Sequence, residues 1–567
     1  MITTASTLQA LQALHPPDDH SLPADAPRYA SAPLEDLAPA DPTPDLSETS
    51  FDEVFFRRLP TCSAADHAGW RYEYLTWTYR YLSSTRPDQP RGSREAFVPG
   101  RGRHAMWSLV QLLFTGGLPA SVRPWFLGGR LIALRKEGDE ESADATSRRL
   151  RPIAIGSTLA RAVSMVAAHQ YRPAFASFLQ PPPPASGTHT TQDDGSPWPA
   201  QVGVACRSGV EFTAHSVRAI LDEHRDWVDL ALDVTNAFNS IHRRAFLEVV
   251  AQRFPTLWTW VHTCYGTPTE LYVRRDGDDP AVIRSCCGTR QGDPLGAQLF
   301  ALGLHPILCA ISRLVGSRGV VIAYADDVHI LAPPSVIAAV APLLAALTPP
   351  PADSPSATPP YDPRFLSAGL SLSLGKCSAF SPSFETPGVR ERAIRTLAPA
   401  ILALTHPTRH GRPLSLADRA ALLLRCEGTA VARGHPVLGV PLGSDSYVDA
   451  FVQSYEDRAT SLLSALRSLL VAPGAAVAAW DEYDALVRFC LWPRLRHFTR
   501  TLPPGMISRR LQALIQELVV DAHLSSIPAP LDPHHSPRRV PPRSAARPLW
   551  RPRYPRRRHP RFHGLLS

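Results

Sequence analysis

Cysteine is sparse in this 567-residue chain and falls in no useful spacing. Its nine cysteines are scattered, and Cys286 and Cys287 are adjacent, so the two-residue gap of most zinc sites is missing. An odd count with no pairing framework fits a reducing interior. Long apolar runs are lacking too. The longest, residues 336–347, is short and broken by Pro342, which predicts no membrane-spanning helix and no membrane partner. No basic start followed by an apolar core opens the chain, so no secretory signal is expected. The expected location is intracellular, nucleus or cytoplasm, not secreted. Basic charge is scarce over most of the length. The net charge is +8, yet residues 531–567 hold ten arginines against the single acid Asp532, so the remainder is close to neutral. That tail, with Arg556, Arg557 and Arg558 among Trp550, Tyr554 and Phe562, suits phosphate contacts and base stacking. Its prolines argue against a packed fold.

What is present is a pattern of acids beside strands. Tyr324-Ala325-Asp326-Asp327 lies between the apolar runs 320–323 and 328–331. This predicts a hairpin with carboxylates at its apex. Crowding two acids there costs Coulomb energy unless a cation neutralises them. Upstream, Asp233 ends the apolar strand 227–232, and Phe238 and Ile241 follow at helical spacing. If the two strands pair, Asp233, Asp326 and Asp327 converge at one sheet end. Such a cluster suits two Mg²⁺ ions about 4 Å apart, for in-line displacement at phosphorus. The Val234 backbone is expected to help, and Mn²⁺ can substitute.

Gly292-Asp293-Pro294 predicts a helix start, with Asp293 at the N-cap and Pro294 at the first helical position. Gly292 and Gly296 leave room for a base and sugar near the backbone.

These blocks, in this order over about residues 60–510, resemble the reverse transcriptases of non-LTR (LINE-like) retrotransposons. Asp233 to Ile241 looks like the first carboxylate motif, and residues 288–296, Gly-Thr-Arg-Gln-Gly-Asp-Pro-Leu-Gly, like the nucleotide-pocket motif. Tyr-Ala-Asp-Asp is similar to the metal motif, residues 369–377 to the block supplying a lysine, and residues 438–443 to the primer-gripping hairpin. Residues 68–75, Lys136 and residues 151–153 resemble finger segments, residues 201–204 and 208–211 a template-contacting segment, and residues 488–504 a thumb.

The resemblance implies an α+β right-hand polymerase: fingers, a palm with an antiparallel sheet, and a helical thumb, with disordered termini. Expected bounds are 1–50 unstructured, 51–200 fingers, 201–444 palm with a Pro-rich insertion at 348–363, 445–530 thumb, and 531–567 basic tail. Lys136 and Arg151 would meet the triphosphate, and Gln291 and Gly292 would wall the nucleotide pocket. Lys376 would protonate pyrophosphate as a general acid. Gly439 would sit at the primer. Phe238 would lie under the sugar, where a 2′-hydroxyl would be desolvated unpaired.

The implied activity is RNA-directed DNA synthesis on an RNA template from a DNA primer and deoxynucleoside triphosphates. The rival expectation is a decayed or domesticated fold that only binds nucleic acid. The family's usual endonuclease domain, Cys/His knuckle and RNase H are not read from the sequence, so the alternatives are a fragment, a decayed copy, or a unit that borrows an endonuclease in trans.

Overall fold

The computed structural model describes residues 5–15, 38–39, 43–61, 63–89, 96–135, 150–180, 197–275, 279–347, 368–409, 412–425, 433–471, 483, 485–507 and 509–524. Lys136, the insertion at 348–363 and the tail with Arg556, Arg557 and Arg558 lie outside them. The chain divides into two compact units. One holds residues 1–457 and 496–508, the other 458–495 and 509–567.

The first unit is built on a five-stranded sheet. In chain order its strands are β1 (Ala200–Gln201), β2 (Val228–Leu232), β3 (Val320–Tyr324), β4 (Asp327–Ala332) and β5 (Ser378–Phe380), arranged β5-β2-β4-β3-β1. All neighbours are antiparallel except β1, which runs parallel to β3. Val328 to Ala332 are all buried. A strand covered on both faces reads as a continuous apolar run, which is how β4 reads. Three helices pack on the sheet: α1 (Gly209–Glu223), α2 (Gly296–Val315) and α3 (Pro334–Ala346).

The α2 helix corrects one expectation. Gly296–Arg318 is long and apolar enough to cross a bilayer, although no spanning run was expected. Most of it, 72%, is buried inside the fold, where its leucines and isoleucines fill the core. It also begins later than expected. Asp293 and Pro294 precede it in a turn, and the Asp293 carboxylate accepts from Leu295 N–H (3.0 Å) and the Tyr265 hydroxyl (2.7 Å). Asp293 thus serves a turn and a buried tyrosine, not a helix N-cap.

A second sheet of four strands orders as 150–156, 129–135, 269–273 and 281–285. The sequence bounds assigned 269–285 to the palm, but these strands complete the sheet that 129–156 begins. Residues 1–50 are not wholly unstructured either. Ala5–Ala13 is a helix whose Leu11 is fully buried against Leu131, Ala154, Leu271, Val273 and Ile283 of this sheet. The Leu14 carbonyl accepts from Asn236 Nδ2 at 2.9 Å.

A separate hairpin, β6 (Gly434–Val437) and β7 (Val440–Gly443), turns through Leu438 (φ +50°) and Gly439 (φ +78°). Two consecutive positive φ values are the demand of the mirror-image turns that suit strand twist. The helix Asp445–Val471 follows, and the second unit begins within it at Arg458. Within the second unit Leu463, Leu466, Leu511 and Leu514 are buried, as helix stripes predict, and Arg467 pairs with Glu517.

Candidate active site

β2 and β4 bring the acids together. Their register pairs Val328 with Leu232, and one step further along it Asp327 stands across from Asp233. Antiparallel neighbours lie about 5 Å apart at Cα. Ala325 and Asp326 form the two-residue turn between β3 and β4, so Asp326 is at the apex and Asp327 opens the outgoing strand. Ala325 is left-handed, φ +55°. Outside glycine that conformation costs about 1–2 kcal/mol and needs support from its surroundings.

Lys376 Nζ donates to Asp233 Oδ1 at 3.2 Å. The Asp233 carbonyl accepts from Ser373 N–H (2.8 Å), and Thr235 N–H donates to the Ser371 carbonyl (2.8 Å). The lysine block is thereby stitched to the first carboxylate block. Asp233, Asp327, Lys376, Leu438 and Gly439 line one cleft of about 770 Å³, together with His329, Arg425, His435 and Tyr447. Four expected site residues, Asp233, Asp327, Lys376 and Gly439, on four sequence-distant blocks therefore line one cleft.

The Asp327 carboxyl is pushed up to about 6, first by loss of water in the cleft, then by repulsion from Asp326 and Asp233. Asp327 keeps solvent access at the cleft mouth, so this desolvation is partial. Carboxylates held so are short of positive charge, and their hard oxygens fit a divalent cation such as Mg²⁺. Among the described residues, no group of three His, Cys, Asp or Glu side chains is already gathered into a ligand set.

A buried cluster of one acid and two histidines, not read from the sequence, lies on the same strands and on β6. Asp229 on β2 is fully buried, 3.1 Å from His329 Nδ1 on β4 and 3.0 Å from His435 Nε2 on β6. Burial alone would raise Asp229, but the two histidines outweigh it and hold the carboxyl far below the usual range. His329 is shifted upward in turn, because Asp229 overcomes its own burial. This cluster ties the strands that carry the acids to the β6–β7 hairpin. The signal was present as an acid and a histidine inside otherwise apolar strands.

The lining of the 770 Å³ cleft does not include Asp326 or the remaining candidates. Phe238 is half-buried and stacks on Phe300, ring centroids 4.5 Å apart. Its carbonyl accepts from Thr289 N–H at 2.7 Å, which docks the 288–292 block on the first carboxylate block. The Gln291 carbonyl accepts from Ala154 N–H at 2.8 Å. Gly292 has φ +126°, and a Cβ there would stand 2.3 Å from the Ala154 carbonyl oxygen, so no side chain fits. Arg151 is exposed on the same strand as Ala154. Val234 is buried and bridges to Leu372.

A palm of antiparallel strands with paired acids at one end, a lysine beside them and a hairpin across the cleft defines the right-hand polymerase class. Residues 135–347 match the family described as reverse transcriptase (RNA-dependent DNA polymerase). The chain is similar in that region to reverse transcriptases. It is 36% identical over 152 residues to the retrotransposable element SLACS 132 kDa protein of Trypanosoma brucei gambiense, over 25% of this chain and 13% of that protein. The chain thus matches only a small part of that relative. Apo telomerase from Candida tropicalis aligns at 8% identity and TM-score 0.33, covering 80% of this chain and 72% of the other. Telomerase from Candida albicans in complex with a TWJ fragment of telomeric RNA aligns at 10% and 0.30, covering 80% and 67%.

Proposed function

We propose that this chain is a catalytically competent RNA-directed DNA polymerase that extends a DNA primer on an RNA template with deoxynucleoside triphosphates. The observation that carries the proposal is the register that sets Asp233 across from Asp327, with Lys376 donating to Asp233 in the same cleft. Asp233, Asp326, Asp327 and the Val234 carbonyl would hold Mg²⁺, two ions in all. When bound, the cations would stabilise charge on the triphosphate and lower the pKa of the attacking hydroxyl. Lys376 would pass a proton to the departing pyrophosphate. Phe238 would press on the sugar and exclude a 2′-hydroxyl, while Lys136, Arg151, Gln291 and Gly292 would form the nucleotide side.

Composition supports the lysine roles. Of 59 Lys and Arg residues only two are lysines, Lys136 and Lys376, and both fall in motif blocks. A chain that uses arginine for nearly every other cation keeps lysine where a compact or titratable ammonium is wanted. We also propose an intracellular location, nucleus or cytoplasm, testable by imaging a tagged chain.

Primer extension on an RNA template with deoxynucleotides and Mg²⁺ tests the activity. The parent chain should extend, and Asp326→Asn with Asp327→Asn should abolish extension. A parent that binds primer-template without extending it would favour the rival, a reverse transcriptase fold acting only by binding. Synthesis persisting in the double variant would overturn the metal assignment.

A further inference from the structure

We propose that Gln201 is a positioning residue that clamps the catalytic turn and so fixes where Asp326 and Asp327 begin; this rests on the polymerase reading above. Gln201 ends β1 and is fully buried. Its Oε1 accepts from Ala325 N–H (2.9 Å), and its Nε2 donates to the Ala325 carbonyl (3.0 Å). Oε1 also accepts from Gly203 N–H (3.0 Å), which pins the side chain's own orientation. A carboxamide offers one acceptor and one donor side by side, and so can satisfy both backbone groups of one residue as a neighbouring strand would. Ala325 is the residue that needs this support, since it is left-handed without being glycine.

The surrounding backbone is shaped to the same contact. Val202 N–H donates to the Ala323 carbonyl (2.8 Å). A Cβ on Gly203 would stand 2.1 Å from Ala325 N, so only glycine lets this segment approach the turn so closely. Segment 200–203 therefore cradles the turn from the side away from β4. Two acids that repel each other sit on the next two positions, and the clamp holds the turn against that repulsion.

The test uses the full chain with Gln201→Met, which keeps length and removes all three side-chain hydrogen bonds. Single-nucleotide incorporation should show kcat lower by about 30- to 100-fold, the scale of a small misplacement of reacting groups. KM for nucleotide and for primer-template should change less than about threefold. The loss should be at least about tenfold smaller when the same substitution is made in an Ala325→Gly background, where the turn is left-handed without support. Hydrogen exchange at the Ala325 amide, read without any activity, should quicken at least about tenfold in Gln201→Met. Should Gln201→Met not fold, Gln201→Asn, too short to reach Ala325, takes its place in every measurement. Unchanged exchange and unchanged kcat overturn the clamp, as does a loss equal in both backgrounds, which would mark general destabilisation. If the parent chain fails to extend a primer, the polymerase reading falls, and the exchange experiment alone still decides whether Gln201 holds the turn.

Discussion

At the scale of single residues the site is a balance between acids and the few cations near them. Asp327 binds its proton more readily in the folded chain than in an unfolded one, since its pKa rises from 3.8 to about 6. The contribution of this group to stability therefore falls as pH climbs through that window. Asp327→Asn removes the penalty. In metal-free buffer at pH 7.5 the variant should melt about 1–2 °C above the parent, with the gap closing by pH 4, while activity is lost. Scanning fluorimetry across pH checks this, and a variant melting below the parent at pH 7.5 would contradict the crowding. Lys376 is subject to a complementary test. Lys376→Arg keeps the charge beside Asp233 but cannot release a proton near neutral pH. We expect single-turnover incorporation to fall about 100-fold, with the alkaline limb of the pH profile lost. Full activity in that variant would reduce the lysine to a charge partner.

Secondary-structure elements were legible where one face or both faces are apolar. The runs 228–232 and 320–331 are rich in Val, Ile and Leu, and both fold as strands of the palm. The acids at their ends stood out because strands seldom carry them. Less legible were elements whose partners are remote. Strands 269–273 and 281–285 lie downstream of the first carboxylate, and only packing against 129–135 assigns them to the second sheet. Leu8 and Leu11 lie in a short segment amid Pro and Ala, and a few buried side chains are too weak a signal for a helix that tertiary contacts sustain. Gln201 was read only as part of a template-contacting segment, because a carboxamide bonding across 124 positions leaves no local pattern. Gly292 lies between these cases. The glycine was read as space for a nucleotide, and the structure adds a tighter demand from Ala154. Gly292→Ala should cost about 2 kcal/mol or more through a strained φ and a backbone clash. Urea unfolding measures it, and a cost below about 0.5 kcal/mol would show that the second sheet shifts to admit a methyl group.

For the whole molecule the question is how a nearly neutral body holds a polyanion. The order of motif blocks made the polymerase architecture legible from the sequence, because each block bears chemistry the others need. Charge follows a different distribution. Residues 531–567 carry ten arginines and one acid, so the whole of the net +8 resides in a segment outside the catalytic blocks. Each arginine that meets a phosphate releases counterions, with a slope in log affinity against log salt of about −0.7 per contact for single strands. If half of the tail arginines engage RNA, removing residues 531–567 should flatten that slope by about 3 to 4. Affinity for primer-template should then fall steeply at low salt and little at high salt. The rate of the bound complex should not change, since the acids, Lys376 and the β6–β7 hairpin all lie outside the deleted segment. Fluorescence anisotropy at graded salt measures the slope, and saturating incorporation measures the rate. An unaltered slope would mean that the tail's charge does not contact RNA and that the body binds through a charge pattern its near-neutral sum conceals. A slope that flattens equally for DNA and RNA is the expected result, because phosphate contacts do not read the sugar.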